Sequence, residues 1–530
     1  MPEPDARIVV VGCGPVGMTL ANLLGTYGVP TLVLERGPQL FDAPRAVGTD
    51  FDCLRAWQAV GLDEKLLADM IPSGPDGIGL VYRDVHGRRF MEVRPRGREY
   101  GFAVGYGFIQ PLVDRVLLSG LERFPHVQVR FGRRVDGVVE DAESVVVSGQ
   151  TGDGRPFEVR AAWVVACDGG RSTVRRGLGI AMHGPRFAQR WLVLDTLEAE
   201  TAERNVRDVN IWCDAERPAV CVPRLHGHRR WEFLAHPDES DEALLSPATI
   251  RRLLAPHTDP DAVEVIRKVV HTFRGRVAER YRAGRVLLAG DAAHVTPPFA
   301  GQGMAIGIRD ASNLAWKLAL VSRSLASPAF LDSYQLERRP GAQATVRLAL
   351  RLGRVMTPGG PLRARLVPAA LRLLGRIPRV RAYLLEGGPR PKPRHRDGWY
   401  VASRRGGAAG AMAHQPFVRT ACGERVKLDR ALGPGFAMLG IGCNPIRGLA
   451  EETRTYWRER GTRFLRVRSA GDPPPEEPWI EDLEGGLQRW LGGRERRLLL
   501  VRPDRYVACD VPAERAEAAL ADLRRRLDGP

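Results

Sequence analysis

Three glycine-rich segments, separated by long stretches of chain, constrain this fold more than any other feature. The first follows, and the third contains, a short aliphatic run typical of a strand that is buried on both faces of a parallel sheet. An acidic residue also follows the strand in the third segment, where open α/β sheets bind ligands. The sequence therefore predicts an α/β fold. The segments read GCGPVG (Gly12–Gly17), CDGGRSTVRR (Cys167–Arg176) and GRVLLAGDAAHVTPPFAGQGM (Gly284–Met304).

The first segment has the spacing of a dinucleotide-binding turn. Gly12 permits a tight turn, Gly14 lets the backbone approach a diphosphate, and Gly17 lets helix and strand pack closely. The diphosphate would lie at the helix N-terminus, and Glu35 would accept hydrogen bonds from a ribose. A glycine-rich turn without a ligand is the alternative. The predicted flanking elements are a strand, a helix and a second strand: Arg7–Val11, Met18–Tyr27 and Pro30–Leu34.

The third segment favours FAD over NAD. Asp291 ends the predicted strand Arg285–Ala289, where it could hold the ribityl hydroxyls of a flavin. The backbone N–H groups at the start of the helix Met304–Leu320 would face the flavin pyrimidine edge, where reduction develops negative charge. Taken alone, Asp291 could equally be a capping or turn residue. The intervening HVTPPF contains Pro297 and Pro298 and is expected to have no regular structure.

All three segments, in this order, resemble the signatures of the class A flavoprotein monooxygenases, the family of p-hydroxybenzoate hydroxylase and phenol hydroxylase. Asp168–Gly169 matches the DG motif and Gly290–Asp291 the GD motif of that family. Arg45 and Gln110 match residues that the family places near the flavin and the FAD ribose or diphosphate. Asp114 departs from the family, which more often has Glu there. The GDAAHVTPPFAGQGM stretch and its continuation are most similar to the 3-(3-hydroxyphenyl)propionate hydroxylase subgroup and to aromatic polyketide hydroxylases.

The resemblance implies a bound FAD, transient NADPH or NADH, and O₂ as co-substrate. It implies hydroxylation of a phenolic or polyketide-derived ring through a flavin C4a-hydroperoxide, because the cofactor carries the difficult chemistry. No second GxGxxG is present, which agrees with brief nicotinamide binding. The motifs and the resemblance together assign these residues to the cofactor: Gly12, Gly14, Pro15, Val16, Gly17, Glu35, Arg36, Arg45, Gln110, Asp168, Gly169, Gly290, Asp291, Pro298, Gly301, Gly303 and Met304.

The catalytic and substrate-binding residues are less sharply indicated. His294 and Pro298 are the catalytic candidates, although a lone histidine is more often a packed or capping residue. Four short strand-like runs between the second and third segments predict an inserted antiparallel sheet, and the resemblance implies that this sheet covers the substrate. Its aromatic residues could equally be core. The substrate candidates are Trp191, Trp212, Trp231, Phe233 and Pro297, and the runs are Trp191–Asp195, Val209–Cys213, Ala219–Pro223 and Trp231–Ala235.

Rival functions remain open on the same scaffold. A Baeyer–Villiger or epoxidising enzyme acting on a polyketide would share these motifs, and so would an FAD-dependent dehydrogenase. A halogenase would carry a Trp-x-Trp-x-x-Ile motif, which the sequence lacks. A flavin-binding regulatory or basic surface-binding protein is the non-enzyme alternative, and it predicts no oxidation of NAD(P)H stimulated by phenols.

Composition excludes several partners. The formal charge is +17, but only five residues are Lys and the arginines are spread along the chain, so no nucleic-acid partner is expected. No apolar run reaches about 20 residues, so no membrane partner is expected. Eight cysteines without a CxxC pair predict neither a metal site nor dithiol chemistry and favour a cytoplasmic protein. Its small-molecule partner would be an aromatic substrate, and the protein would be a monomer or a homodimer.

The chain is expected to divide into an FAD-binding domain in two parts, an inserted substrate sheet and a C-terminal domain that resembles thioredoxin. The basic stretch from Arg347 to Arg381, broken by prolines, predicts short helices with Leu, Val and Ala inward and Arg in solvent; membrane-surface or nucleic-acid binding is the alternative. The proposed limits are 1–180 and 276–390 for the two FAD-binding parts, 181–275 for the substrate sheet, 391–400 for a linker and 401–530 for the C-terminal domain.

Overall fold

The largest sheet brings the three glycine-rich segments together. In the computed structural model, which describes residues 5–198, 207–388, 392–402 and 407–529, the strands before the three segments are adjacent and parallel. Val11 lies opposite Ala166, and Ala166 lies opposite Leu288, so the three strands end at the same level. The predicted α/β architecture is confirmed. In sheet order the strands are Arg282–Ala283, Val286–Leu288, Pro156–Ala166, Ala6–Val11, Thr31–Leu34 and Val127–Arg130; Val145–Thr151 also pairs with Pro156–Ala166, and Arg133–Glu140 pairs with Val145–Thr151.

The second large sheet has seven strands and only partly matches the expectation. Its strands from 188 to 274 are antiparallel, as predicted, but two edge strands come from before the second glycine-rich segment. Val209–Trp212 pairs in parallel with Leu80–Arg83, so the sheet is mixed. In order, the strands are Val263–Arg274, Ala188–Glu198, His228–Leu234, Ala219–Pro223, Val209–Trp212, Leu80–Arg83 and Arg89–Val93.

This second sheet has two buried faces, because side chains alternate along each strand. One face packs against the helices Asp241–Leu244 and Pro247–Leu254 and is called the outer face here. The other, called the pocket face, packs against Phe299 of the third glycine-rich segment. The sheet therefore separates a helix-covered side from a side that looks toward the glycine-rich turns.

The C-terminal region has its own seven-stranded sheet. From the sequence we expect four strands there, Phe436–Gly440, Thr462–Val467, Leu498–Val501 and Tyr506–Cys509, and a closing helix, Ala513–Leu527; all are present with shifted ends. All eight cysteines, each in a described residue, are free thiols. The strands in order are Arg425–Lys427, Phe417–Thr420, Trp479–Asp482, Arg463–Ser469, Ala437–Ile441, Arg497–Val501 and Val507–Pro512.

Proline-containing segments depart from the expectations. The HVTPPF stretch is not wholly irregular, because His294–Val295 pairs with Arg276–Ala278 and Pro298–Ala300 forms a 3₁₀ turn. The basic stretch contains one long helix, Asp332–Met356, followed by Pro361–Leu374 and Pro378–Leu385. The prediction that its leucines point inward is wrong at four positions: Leu362, Leu366, Leu373 and Leu374 are 68%, 58%, 63% and 45% exposed.

The remaining elements connect these layers. There are two small three-stranded sheets. The first contains Met182–His183, Arg276–Ala278 and His294–Val295, and the second contains Gly48–Asp50, Gly105–Phe108 and Met70–Pro72. Among the described residues, no helix is both long enough and apolar enough to cross a membrane. The other helices are Pro15–Thr26, Phe51–Ala59, Asp63–Leu67, Gln110–Leu121, Thr173–Gly177, Gly303–Ser322, Leu428–Leu432, Glu451–Glu459, Gly486–Trp490 and Ala516–Asp528, and short 3₁₀ turns occupy Gly290–Ala292, Pro328–Leu331 and Ala513–Arg515.

Candidate active site

The first glycine-rich turn has the geometry of a phosphate cradle. Gly12 has a φ of +107°, and a methyl group there would lie 2.5 Å from the Cys167 carbonyl oxygen. A methyl group on Gly17 would lie 2.1 Å from the Gly12 carbonyl oxygen, so helix and strand touch at this residue. At Gly14 no heavy atom lies within 4 Å of an added methyl group. The turn is closed on two sides and open only at Gly14, as a bound diphosphate requires.

Two helices point uncapped N-termini at this region. Neither Gly14, before the helix Pro15–Thr26, nor Gln302, before Gly303–Ser322, makes a side-chain capping hydrogen bond. Methyl groups added at Gly301 and Gly303 would meet no heavy atom within 4 Å, and Val16 and Met304 remain half-buried beside these openings. Uncapped N–H groups and the helix dipoles favour anionic ligands. FAD fits both helix N-termini, because it has a diphosphate and a flavin that becomes anionic on reduction.

Glu35 is fixed at the end of the second strand. Its carboxylate oxygens accept hydrogen bonds from the Cys13 and Gly37 backbone N–H groups at 2.8 and 2.9 Å. Each oxygen retains a second lone pair, so a ribose hydroxyl can still donate to it. Arg36, the adjacent cofactor candidate, is exposed.

Asp168 and Gln110 organise loops around the turn. One Asp168 oxygen accepts hydrogen bonds from the Thr173 and Val174 N–H groups, and the other is buried without a partner among the described residues. The Gln110 side-chain oxygen accepts from the N–H groups of Arg45 and Ala46 at 3.0 and 2.7 Å. Gln110 thus holds the loop that carries Arg45, which is itself exposed.

The third segment places a carboxylate in the cleft. Gly290 has a φ of +62°, and its N–H group donates to the Asp310 carboxylate. Asp291, one residue on, is exposed at the carboxyl end of the sheet. Desolvation by the protein around it raises the pKa of the Asp291 carboxyl, while the positive charge of Arg45 opposes the rise. Gly169, in the neighbouring turn, has a φ of +82° and open space beside it.

His294 lies beneath this region rather than in it. It is fully buried, and its Nε2 contacts an Asp310 carboxylate oxygen at 2.6 Å. The other Asp310 oxygen accepts from Arg338 Nε at 2.9 Å. This buried cluster ties the third segment to two long helices and favours a structural role for His294 over a catalytic one.

The pocket face of the second sheet meets the third segment through aromatic rings. Phe299 lies 5.8 Å from Trp191 and 6.4 Å from Phe273, between ring centroids. Trp191 is on the predicted side but has no exposed surface, so it supports the other rings from behind. Pro297 is buried and Pro298 half-buried beside Phe299.

Three other substrate candidates lie on the outer face. Trp212 and Trp231 stack at 6.3 Å, and Phe233 stacks on Trp231 at the same distance. His257, which follows the helix Pro247–Leu254, contacts Trp212 at 4.3 Å between centroids. The sheet separates these rings from Phe299, so their position favours a core role. The sequence showed that they lie on strands, but not which face each strand presents.

Polar residues on the pocket face were missed from the sequence. His271 lies directly opposite Trp191 and therefore shares its face, and it is exposed. Desolvation of the imidazole by the surrounding protein lowers the pKa of His271. The positive charge of Arg267 lowers this pKa further, and the negative charge of Asp291 opposes the shift. Arg267 also binds the buried Asp195 carboxylate at 3.1 Å. A single histidine on a strand cannot be assigned to the pocket from the sequence, because the strand register decides which face of the sheet it occupies.

Comparisons with known proteins identify the family of the chain. The family model of the FAD binding domain matches residues 5–349, and that of the HcaD C-terminal domain matches residues 410–526. A 3-(3-hydroxy-phenyl)propionate/3-hydroxycinnamic acid hydroxylase of Burkholderia cenocepacia (strain HI2424) is 40% identical over 516 residues, which cover 96% of this chain and 94% of the relative. The enzyme of the same name from Mycobacterium avium (strain 104) is 40% identical over 544 residues, which cover 98% and 92%.

A solved structure supports the whole architecture. Aklavinone-11 hydroxylase, in a ternary complex with FAD and aklavinone, superposes with a TM-score of 0.81 at 24% identity and covers 99% of both chains. At this identity the likeness concerns the fold. The resemblance seen in the three segments is confirmed by the family match and by the relatives. The chain belongs to the FAD binding domain family and is a flavoprotein monooxygenase of the aromatic hydroxylase group.

Proposed function

We propose that this enzyme hydroxylates a phenolic ring that carries an anionic side chain, with FAD, O₂ and NADPH or NADH as reactants. The observation that carries the proposal is a meeting point: the glycine-rich turns and the pocket face converge around Asp291, Phe299 and His271. The relatives are named for 3-(3-hydroxyphenyl)propionate and 3-hydroxycinnamic acid, and both compounds are phenols with a carboxylate.

The residues of the three turns hold the cofactor. Bound FAD supplies the electron transfer from the nicotinamide and the oxygen transfer to the ring. The open turn at Gly14 would receive the diphosphate, and Asp291 would accept hydrogen bonds from the ribityl hydroxyls. The N-terminus of Gly303–Ser322 would stabilise negative charge on the reduced flavin, because its first N–H groups are uncapped.

The pocket face binds and orients the ring. Phe273 and Phe299 offer apolar contact, and Trp191 fixes both of them from behind. His271 accepts the phenol proton, because its lowered pKa keeps the imidazole neutral near neutral pH. Removing that proton makes the ring more electron-rich at the positions next to and opposite the oxygen.

Arginines around the cleft give it a preference for anions. Arg45 acts electrostatically on Asp291, and Arg171 and Arg267 act on His271. Arg45 and Arg171 are exposed, so a substrate carboxylate can reach them without first breaking a buried ion pair. A guanidinium binds a carboxylate through paired hydrogen bonds.

Other proposals rest mainly on the sequence. They are transient nicotinamide binding, a cytoplasmic location, a monomer or homodimer, and the domain limits given above. For the thioredoxin-like character of the C-terminal domain, support comes from its strand order and its closing helix. Cys443 follows the strand Ala437–Ile441 without a second cysteine nearby, so we propose no dithiol chemistry there.

Turnover with matched phenols tests the proposal. The FAD-loaded enzyme would be given 3-(3-hydroxyphenyl)propionate, 3-ethylphenol, which lacks the carboxylate, and a tricyclic polyketide phenol. We expect the carboxylated phenol to accelerate NAD(P)H oxidation at least about tenfold more than 3-ethylphenol and to gain one oxygen atom. If no phenol accelerates the oxidation, the hydroxylase proposal is wrong.

The same turnover assay distinguishes this proposal from the second candidate function, which is oxidation of a polyketide. Preference for the polyketide would favour the tailoring role for which the structural neighbour aklavinone-11 hydroxylase is named. Ring expansion to a lactone in the product would identify Baeyer–Villiger chemistry instead of hydroxylation, and NMR of the product distinguishes the two.

A further inference from the structure

The two helices Pro361–Leu374 and Pro378–Leu385 carry an apolar face that no other described part of the chain covers. Twelve large hydrophobic side chains are exposed among the described residues, and six of them lie between positions 362 and 383. No residue of Pro378–Leu385 is buried. Such a concentration marks an interaction surface rather than the scattered apolar exposure of an ordinary surface. The six are Leu362, Leu366, Leu373, Leu374, Ile377 and Tyr383.

The exposed residues form one stripe, called the outer stripe here. Leu362, Leu366 and Leu373 follow one another at intervals of four and seven residues, which places them on a single side of the helix Pro361–Leu374, and Ile377 is the extended residue before the helix Pro378–Leu385. The opposite side is already docked, since Ala364 and Pro368 are buried there. The helix therefore has two apolar sides, and only one of them is used by the fold.

Within the two helices, every charged residue beside the outer stripe is positive. Between Pro361 and Leu385 the sequence has six arginines and no acidic residue. Arg372 pairs with Asp84, beneath the helix. The other five are exposed, and no ion pair links any of them to another described residue. They are Arg363, Arg365, Arg376, Arg379 and Arg381.

We propose that the outer stripe binds the surface of an anionic lipid membrane, whereas the expectation of no membrane partner rested on the absence of an apolar run long enough to span a bilayer. A basic helix with exposed leucines lies in the interface plane, where apolar side chains enter the acyl boundary and arginines meet lipid phosphates. Tyr383, 55% exposed, suits the same depth. Helices of 14 and 8 residues are too short to span a bilayer, so the attachment is peripheral.

Charge argues against a second copy of the chain as the occupant. A two-fold interface through the outer stripe would bring the arginine flanks of both copies together, because an isologous contact uses the same patch twice. Without an acidic residue in either helix, those flanks would repel each other. Anionic lipid supplies the missing negative charge.

The proposed membrane attachment would also bring the lipid surface close to the substrate pocket. Leu371, on the docked side of the helix, packs in the same cluster as Trp191 and Phe299 of the pocket. A membrane on the outer stripe would therefore lie one helix away from the pocket wall. Membrane attachment through the outer stripe would not depend on the identity of the substrate.

Vesicle sedimentation of the full-length, FAD-loaded enzyme tests the proposal. We expect binding to phosphatidylcholine vesicles that contain about one third phosphatidylglycerol, at least about tenfold weaker binding to pure phosphatidylcholine, and release at about 0.5 M NaCl. The double variant Leu366→Glu, Leu373→Glu should lose the binding. Val139→Glu with Leu336→Glu, at residues 67% and 53% exposed elsewhere, is the matched control and should keep it.

Two outcomes would overturn the proposal. The first is equal binding by the wild type and the outer-stripe variant. The second is a wild-type dimer that the outer-stripe variant converts to monomer in sedimentation velocity, with no vesicle binding by either; the stripe would then be an interface between copies. The bound-flavin absorption spectrum shows that each variant is folded.

Discussion

Gly14 and Gly17 lie three residues apart in one turn, yet a methyl group added at each meets different surroundings. At Gly17 it would overlap the Gly12 carbonyl oxygen, and at Gly14 it would enter open space. Gly14 has a φ of −82°, which any residue can adopt. We therefore expect that Gly14 is required for binding the ligand and that Gly17 is required for the fold.

The two substitutions to alanine should separate these requirements. We expect Gly14→Ala to weaken FAD binding at least about tenfold, because the methyl group occupies the diphosphate position, while the melting temperature of the apoprotein stays unchanged. Gly17→Ala should destabilise the apoprotein by about 1–3 kcal/mol through overpacking. Flavin fluorescence titration and apoprotein melting measure the two effects, and an equal loss of stability in both variants would contradict the assignment.

His271 should give the enzyme an acid limb in its pH profile. Because its pKa is lowered from the ordinary value of 6.5, the imidazole is neutral at pH 7 and becomes protonated only as the pH falls through the lowered value. A protonated imidazole cannot accept the phenol proton, so kcat/KM should fall on the acid side. His271→Gln should reduce kcat/KM about 100-fold and remove the limb.

Two companion variants sharpen the test of His271. Arg267→Gln should move the acid limb to higher pH, since Arg267 contributes to the lowered pKa. His257→Gln is the matched control: burial lowers its pKa to about 4, but it lies on the outer face, so its loss should leave the limb in place. An acid limb that persists in His271→Gln would exclude this residue as the base.

At the scale of elements, local pattern predicted strands well and their faces poorly. The strand Ala6–Val11 was predictable because its last four residues, from Ile8 to Val11, are all aliphatic and buried. Leu80–Arg83 was missed, since four residues joined to a distant strand carry too short a pattern. Trp212 was placed on a strand correctly, but its face follows from register, which is a long-range property.

Long-range contacts also explain the remaining differences at the site. The Asp310 partner of His294 lies 16 residues later, and Arg338 follows after another 28, on a different helix. No spacing rule connects these three residues. The glycine-rich turns could be predicted because each one is a short, contiguous sequence motif. The pocket could not be predicted, because three elements that are distant in sequence form it.

The helices Gly303–Ser322 and Asp332–Met356 are joined by a buried charge cluster. The Glu337 carboxylate accepts hydrogen bonds from Arg502 at 2.7 and 2.8 Å and from Lys317 at 2.8 Å. Asp504 and His395 lie close enough to Glu337 to form a metal-like ligand set. Arg502 also bonds Asp504 at 2.6 Å, so guanidinium and ammonium groups supply the positive charge that a metal would.

Removing one member of this cluster should be costly. Arg502 and Lys317 hold the pKa of Glu337 well below its ordinary 4.5, so the stabilising ion pairs exist above about pH 4.5 and are lost only as the pH falls further. At pH 7, Glu337→Gln should lower the free energy of unfolding by about 3–5 kcal/mol, because buried cations lose their partner. Denaturant unfolding measures the change.

An exposed ion pair provides the contrast for Glu337. Glu452, with a side chain 77% exposed, pairs with Arg524 at 2.7 Å. Glu452→Gln should change the stability by less than about 1 kcal/mol, since solvent screens the pair. If the two variants lost similar stability, burial would not be the reason for the importance of Glu337.

Over the whole molecule, the C-terminal region shares one hydrophobic core with the FAD-binding part. Trp316 of the long helix lies 5.8 Å from Trp399, and Trp399 lies 5.9 Å from Phe436, between ring centroids. The buried pair Arg55–Asp429, at 2.7 Å, crosses the same boundary. Trp399 falls within the stretch proposed as a linker and is 1% exposed. Domains that share such a core should not melt separately, although multidomain chains often do.

This shared core predicts that FAD binding stabilises the C-terminal region as well. Cys422 is the exposed cysteine among the eight and lies on the C-terminal sheet side of the boundary, so a fluorophore there reports on that region, while flavin release reports on the other. Both signals should change at one temperature. FAD at about 100 times its Kd should raise that temperature for both, by an amount equivalent to about 2.7 kcal/mol. Gly14→Ala, tested at the same FAD concentration, should show a smaller shift in both signals together. A Cys422 transition that ignores FAD would mean that the two parts unfold independently, despite the rings packed between them.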